Sequence, residues 1–165
     1  MDRLILFRHG KAEPESHSGE DFDRRLTVQG ALESASTAAS LADMDFAPDV
    51  VLVSPAARTR DTWAAAAPHF PQAQARFDND LYNADSTEIR LAADEAGQTA
   101  KTVMVVGHNP GMQELTFRLL IEGSAPSALV AKAQRGFPTG AAAAFLIDAK
   151  GRPQFHGLIF PGRGD

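Results

Sequence analysis

Cysteine is absent from this 165-residue sequence, and its absence removes several kinds of chemistry at once. Disulfide bonds, thiolate zinc sites and cysteine nucleophiles are excluded, and nothing in the composition indicates a redox compartment. Long hydrophobic runs are also lacking. The first apolar run has four residues, with no basic stretch before it. The sequence therefore predicts neither a signal peptide nor a span of about 18 apolar residues, and we expect a cytoplasmic protein.

Positive charge is in the minority, since the formal net charge is -5 at pH 7. This balance argues against nucleic acid or an anionic membrane as a partner. An anionic substrate stays open, because a phosphate site needs only local positive charge. The length predicts a single domain over residues 1–165, large enough to bury roughly 70% of its unfolded surface. The oligomeric state is left open.

Short apolar runs predict buried strands, and two runs near the C-terminus predict an antiparallel pair. The predicted strands are residues 4–7, 50–53, 75–77, 102–106, 141–147 and 154–160. Segments of helical spacing lie between them. These are residues 28–43 with Thr27 as N-cap, 54–68 with Ser54 as N-cap, 86–95 and 112–121. The alternation predicts an α/β fold, a three-layer α/β/α sandwich with a mostly parallel sheet and an antiparallel edge near the C-terminus.

Polar residues follow three of the predicted strands. They are Arg8-His9-Gly10, Ser54 to Arg58, and Gly107-His108-Asn109-Pro110. In open parallel α/β sheets, ligands bind beyond the carboxyl ends of the strands, so we expect two histidines and two arginines at one rim. Guanidinium groups bind phosphate oxygens, and a helix start adds unpaired N–H groups. No carboxylate or cysteine cluster indicates a metal, and we predict neither a metal nor a cofactor.

These three segments, in this order, resemble the histidine phosphatase superfamily (phosphoglycerate mutase-like). The stretch at residues 25–30, Arg-Leu-Thr-Val-Gln-Gly, is also similar to that family's link into its first helix. The short chain, without a large inserted cap, is most similar to the SixA-type phosphohistidine phosphatase branch. The resemblance implies a phosphoglycerate mutase-like fold and a metal-independent phosphatase.

The resemblance also implies a role for each matching residue. His9 would attack the phosphorus and become a phosphohistidine. Arg8 and Arg58 would bind the phosphoryl oxygens, and His108 would donate to the charge that develops in the transition state. Attack needs a neutral nitrogen on His9, so we expect the other ring nitrogen to donate to a backbone carbonyl. Arg58 is predicted in the first turn of a helix, where a cation opposes the dipole and indicates an anion nearby.

Two further residues have a functional and a structural interpretation. Asp80 is the candidate proton donor, although its surroundings match no donor motif, and it is otherwise a turn residue. Lys11 is a candidate for binding an anionic group at the mouth of the pocket, and it is otherwise a solvated loop lysine. The substrate stays open between phosphohistidine on a protein and a small phosphate ester such as a sugar phosphate. A catalytically weak phosphate- or phosphoprotein-binding module is the alternative to an enzyme.

Overall fold

The computed structural model describes residues 1–162, which form a six-stranded sheet and five α-helices. The strands are β1 (Arg3–Arg8), β2 (Val50–Val53), β3 (Gln74–Phe77), β4 (Thr102–Gly107), β5 (Ala142–Ile147) and β6 (Pro153–Ile159). The helices are α1 (Val28–Asp43), α2 (Ala57–Ala66), α3 (Ser86–Ala96), α4 (Gly111–Glu122) and α5 (Ser127–Arg135). Short 3₁₀ turns lie at Asp21–Asp23, Ala67–His69 and Asn79–Leu81.

The strands are arranged in the order β3-β2-β4-β1-β5-β6. β4 lies between β1 and β2 and is parallel to both, and β3 is parallel to β2. β5 is antiparallel to β1, and β6 is antiparallel to β5. The predicted α/β fold, with a mostly parallel sheet and an antiparallel edge formed by C-terminal residues, is therefore confirmed.

Alternate residues of the strands face opposite sides of the sheet, as the pleat of a strand requires. On one side, Leu4 and Leu6 of β1 pack with apolar residues of α3, α4 and α5. On the other side, Ile5 and Phe7 pack with residues of α1 and α2. All four of these β1 residues are fully buried. Both faces are covered by helices, which explains why the first strand is apolar without alternation.

The local signals at the helix ends have mixed outcomes. Thr27 is the N-cap of α1 as predicted, and its hydroxyl oxygen accepts a hydrogen bond from the Gly30 N–H at 2.9 Å. The prediction for Ser54 is wrong, because α2 begins at Ala57 and its N-cap position is Ala56, which has no capping side chain. The Ser54 hydroxyl is instead bound to His108, as described below.

Helix α5 is the element that the sequence patterns missed. It begins directly after Pro126, in a stretch that reads as a glycine-, serine- and proline-rich loop, and its one fully buried residue is Ala133. Its residues do have helical spacing, so the loop-forming residues before it explain why it was not predicted. Among residues 1–162, no helix is long and apolar enough to cross a membrane.

Candidate active site

The register of the sheet brings the three polar segments to one level. Arg8 is paired with Gly107 across β1 and β4, and the His9 N–H donates to the Gly107 carbonyl at 3.0 Å. On the other side of β4, the Ser54 N–H donates to the Val106 carbonyl at 3.1 Å. Three neighbouring parallel strands therefore end at the same edge. This is the place where open α/β sheets bind their ligands.

His9 has the tautomer that nucleophilic attack through Nε2 requires. Its ring is buried, with 7% of the residue exposed, and Nδ1 lies 2.7 Å from the Gly10 carbonyl oxygen. A carbonyl oxygen can only accept, so Nδ1 carries the hydrogen and Nε2 keeps its lone pair. Burial lowers the pKa of His9 to about 4, and the nearby charges of Arg8, Arg58 and Arg24 act in the same direction, against the bond to Gly10. The ring is therefore neutral at pH 7.

The backbone around His9 is held from two sides. The Gly10 N–H donates to the Thr62 hydroxyl oxygen at 3.0 Å, and that hydroxyl donates to the Arg58 carbonyl at 2.7 Å. On its other side, a Cβ on Gly10 would lie 2.6 Å from the Gly30 carbonyl oxygen. Only glycine allows the chain after His9 to lie so close to α1. Thr62 and Gly10 thus connect the end of β1 to both α1 and α2.

His108 faces His9 across the site. The two ring centroids are 5.3 Å apart, and Nε2 of His108 lies 2.7 Å from the Ser54 hydroxyl oxygen. Its Nδ1 is buried and has no partner among residues 1–162. Burial lowers the pKa of His108 to about 3, with further contributions from His9 and Arg58. Two neutral histidines therefore lie beside the arginines at pH 7.

Arg58 is the second residue of α2, and 6% of it is exposed. A cation in the first helical turn opposes the dipole, so an anion is expected beside it. The structure supplies one in the 3₁₀ turn Asp21–Asp23, which lies in the loop between β1 and α1. Arg58 Nη1 donates to the Asp21 main-chain oxygen at 2.9 Å, and Nη2 donates to the Asp21 carboxylate at 3.1 Å. The loop between β1 and α1 therefore reaches the site through Asp21.

Asp21, Arg24 and Tyr82 are the site residues that the sequence patterns missed. The Tyr82 hydroxyl donates to the Asp21 carboxylate, and Arg24 Nε donates to its other oxygen at 3.0 Å. The Tyr82 bond is the largest cause that lowers the pKa of Asp21 to about 2. The same bond raises the pKa of Tyr82, whose ring centroid lies 5.6 Å from that of His108. The one available signal in the sequence was the dipole conflict at Arg58.

Among residues 1–162, buried nitrogen atoms without a hydrogen-bond partner lie in Arg8, Arg58 and His108. Arg8 Nη1 donates to the Phe137 carbonyl at 2.9 Å, whereas Arg8 Nε has no partner in the described part of the chain. The same holds for Arg58 Nε and for Nδ1 of His108. Desolvation lowers the pKa of Arg8, and the Arg58 charge adds to this effect. Buried polar groups are nearly always paired, so a cluster of unpaired nitrogen atoms fits a bound oxyanion.

The structure places the two further candidates outside this group of contacts. The Lys11 side chain is exposed, and its main-chain oxygen accepts from the Thr27 N–H at 2.9 Å. Asp80 lies in the turn Asn79–Leu81 and lines a neighbouring cavity of about 470 Å³ beside α3. Within residues 1–162, neither side chain makes a hydrogen bond or ion pair with His9, His108 or the site arginines. Over the same range, no group of three or more histidine, aspartate or glutamate residues could hold a metal.

The fold, the family match and the similar SixA structures together identify the chain as a phosphatase, a hydrolase that acts on phosphoryl groups. The sequence profile of the histidine phosphatase superfamily (branch 1) matches residues 4–101. The chain belongs to this superfamily and is of the SixA type.

Known proteins similar to this chain include two solved structures. A candidate phosphohistidine phosphatase SixA from Agrobacterium tumefaciens is 32% identical, with a TM-score of 0.83 over 97% of this chain and 98% of that one. A SixA candidate from Nakamurella multipartitia is 28% identical, also with a TM-score of 0.83, over 98% and 97% of the two chains. An uncharacterized Mycobacterium tuberculosis protein is 30% identical over 141 residues, which are 85% of this chain and 86% of that protein.

Proposed function

We propose that this protein, as one catalytic domain over residues 1–165, removes the phosphoryl group from phosphohistidine on a protein, without a metal, by way of phospho-His9. The observation that carries the proposal is the hydrogen bond from Nδ1 of His9 to the Gly10 carbonyl at 2.7 Å. It leaves the Nε2 lone pair free in a ring that burial keeps neutral. The similarity to SixA proteins supports the choice of substrate.

In the first step, Nε2 of His9 attacks phosphorus and forms a new N–P bond. The P–N bond of the substrate breaks, and its electron pair stays on the leaving imidazole nitrogen, which takes a proton from solvent. Arg8 and Arg58 face the phosphoryl oxygens, and their fixed charges offset the charge of the transferred group. Because imidazole is a better leaving group than an alkoxide, this step needs no strong acid. Asp21, with its pKa lowered to about 2, is ionised and cannot act as one.

In the second step, water attacks the phosphorus of phospho-His9. The P–Nε2 bond breaks, its electron pair returns to His9, and the water releases one proton to solvent, which balances the proton taken in the first step.

In this proposal Ser54 donates to Nε2 of His108, so Nδ1 of His108 carries a hydrogen. The Nδ1–H group of His108 then donates to a phosphoryl oxygen, which gives this buried and otherwise unpaired group a partner.

The experiment is phosphate release from a phosphohistidine-bearing protein in the presence of a chelator. We expect release by the wild type and none by His9→Ala. His69→Ala is the matched control, because His69 is exposed in the turn that follows the far end of α2. Substantial turnover by His9→Ala, or complete loss of wild-type activity in chelator, would overturn the mechanism.

A second pair of variants tests the phosphoryl clamp. Arg58→Ala is expected to lower turnover at least about 100-fold, as the loss of one transition-state donor does. Arg60→Ala is the control, because Arg60 points to the Pro55 carbonyl and the Phe77 ring. A panel of sugar phosphates and other phosphate esters belongs in the same assay. Faster turnover of an ester than of phosphohistidine would replace the proposed substrate, and phosphate binding without any phosphoenzyme would indicate a binding module.

A further inference from the structure

A second cleft lies directly beside the catalytic residues, with a volume of about 530 Å³. Among residues 1–162, its charged lining residues are Arg8, Lys132 and Arg135, and no aspartate or glutamate of this range lines it. This concentration of positive charge occurs in a protein whose formal net charge is -5. A cleft lined by charge of one sign attracts ligands of the other sign. The chemistry of this cleft therefore suits an anionic group.

The cleft is structurally continuous with the catalytic site. Arg8 precedes His9 in the chain, and Asn109 follows His108; both residues line the cleft. Arg8 Nη1 and Asn109 Nδ2 each donate to the same Phe137 carbonyl oxygen at 2.9 Å. The segment after α5 is thus fastened to both catalytic motifs. A substrate with its phosphoryl group at His9 has the cleft beside it.

Lys132 and Arg135 lie in the last turn of α5, where cations interact favourably with the helix dipole. The dipole explains cations at this position but not their place in a cleft to which residues 1–162 contribute no carboxylate. The Lys132 ammonium lies 4.6 Å from the centroid of the Phe160 ring, which also lines the cleft. In the described chain neither residue forms an ion pair. Their charges are available to a ligand.

We propose that this cleft is a recognition subsite for an acidic side chain that lies next to the phosphohistidine of the protein substrate. The proposal rests on the proposed function and names a feature of its substrate. Arg135 offers the planar set of donors that binds a carboxylate through two parallel hydrogen bonds, and Lys132 adds a second charge. At Arg58 the site instead holds the Asp21 carboxylate, which repels the same group. The cleft and Asp21 together set the direction in which the substrate segment lies.

The test compares two phosphohistidine peptides that differ only in their flanking residues, glutamate in one and glutamine in the other. For the wild type we expect a higher kcat/KM with the glutamate peptide, and a smaller preference at high salt, because added ions screen exposed charges. The double variant Lys132→Gln/Arg135→Gln is expected to lower kcat/KM for the glutamate peptide about 5- to 10-fold, a range typical of one or two exposed ion pairs. For the glutamine peptide we expect a change of less than about twofold.

The control is the double variant Lys101→Gln/Lys150→Gln, which removes the same charge from exposed positions at the opposite end of the sheet. This control variant is expected to have a kcat/KM within about twofold of the wild type for both peptides. Equal kcat/KM for the two peptides in the wild type would overturn the subsite. The subsite would also be overturned if Lys132→Gln/Arg135→Gln lowered kcat/KM only for small phosphorylated carboxylic acids and not for the glutamate peptide. The cleft would then serve a metabolite.

Phosphoramidate separates the two proposals, because it has a P–N bond but no acidic side chain for the cleft to bind. If phosphoramidate and both peptides are hydrolysed but the peptides are equivalent, the subsite fails and the proposed function stands. If none of the three is hydrolysed, both proposals are overturned. If all are hydrolysed and only the glutamate peptide responds to the α5 variant, both are supported.

Discussion

Asp21 accepts two hydrogen bonds from Arg58, one at its main-chain oxygen at 2.9 Å and one at its carboxylate at 3.1 Å. The loop thereby presents to the guanidinium the kind of oxygen atoms that a phosphoryl group would present. The contact stabilises a buried cation at the start of α2. It also means that a phosphoryl group that binds Arg58 meets a negative charge already there.

Asp21→Ala is expected to tighten the binding of tungstate or inorganic phosphate about 3- to 10-fold. The reason is that Nη2 of Arg58 becomes available and the repulsion from a half-exposed carboxylate is removed. Titration calorimetry measures the change. Asp23→Ala is the matched control, since the Asp23 carboxylate accepts from Ser18 and not from an arginine of the site. Weaker binding in Asp21→Ala would show that Asp21 chiefly holds Arg58 in place.

The two buried histidines predict how stability depends on pH. The pKa of His9 is lowered to about 4 and that of His108 to about 3, against about 6.5 in an unfolded chain. Between about pH 6 and 4.5 the unfolded chain binds protons that the folded protein does not. The free energy of unfolding therefore falls as the pH falls, by up to about 1.4 kcal/mol per pH unit for each histidine.

Urea unfolding at about pH 7, 6 and 5 measures this slope. His9→Gln is expected to reduce the slope by up to about 1.4 kcal/mol per pH unit. His69→Gln, at an exposed position, is expected to leave it as in the wild type. Identical slopes for the wild type and His9→Gln would show that His9 titrates normally in the folded protein.

Thr62→Val removes the hydroxyl that accepts from the Gly10 N–H and donates to the Arg58 carbonyl. The buried N–H loses its partner, so we expect a loss of about 1–3 kcal/mol in the free energy of unfolding. The backbone beside His9 is also released, and we expect kcat to fall about 10-fold. Unfolding curves and steady-state kinetics measure the two effects.

Thr116→Val is the control for this substitution. The Thr116 hydroxyl is buried and has no partner among residues 1–162, so its replacement by a methyl group is expected to be neutral or stabilising. If Thr62→Val behaves like Thr116→Val, the bond to Gly10 contributes nothing to the position of the nucleophile.

Gly30→Ala tests the close approach of α1 to the loop after the nucleophile. A Cβ at Gly30 would collide with the Lys11 carbonyl oxygen and lie 2.8 Å from its nitrogen. Backbone atoms cannot move aside as a flexible side chain can, so we expect a destabilisation of about 1–3 kcal/mol. Gly136→Ala, whose Cβ would meet nothing within 4 Å, is expected to change stability by less than about 0.5 kcal/mol. Thermal unfolding of the two variants makes the comparison, and equal stability would contradict the predicted collision.

The strands and most helices were predictable because their signals are local. The apolar run in β2 has its predicted bounds, and α1 begins after Thr27 as its capping chemistry requires. The N-cap assignment of Ser54 failed for a tertiary reason. Its hydroxyl lies 2.7 Å from a ring nitrogen of His108, 54 positions away in the chain, and capping propensity contains no information about such a partner.

The candidate site divides in the same way. His9, Arg8, Arg58 and His108 were predicted from the sequence and lie together in the structure, because each lies at the end of a recognisable strand or in the first turn of a helix, and parallel strands place their carboxyl ends together. Asp21, Arg24 and Tyr82 were missed because they lie in a loop and a turn, whose positions depend on contacts rather than on periodicity. No surrounding motif in the sequence supported Lys11 or Asp80, and their roles stay predictions.

By itself, the sequence determined the α/β alternation, the superfamily motifs and the chemical types of the candidate site residues, since these depend on residue identity and short-range spacing. The tertiary structure alone decided that Asp21 lies against Arg58 and that the cationic end of α5 lies beside Arg8. These are distances between residues far apart in the chain. The packing of helices on a sheet sets such distances, and local propensity does not encode them.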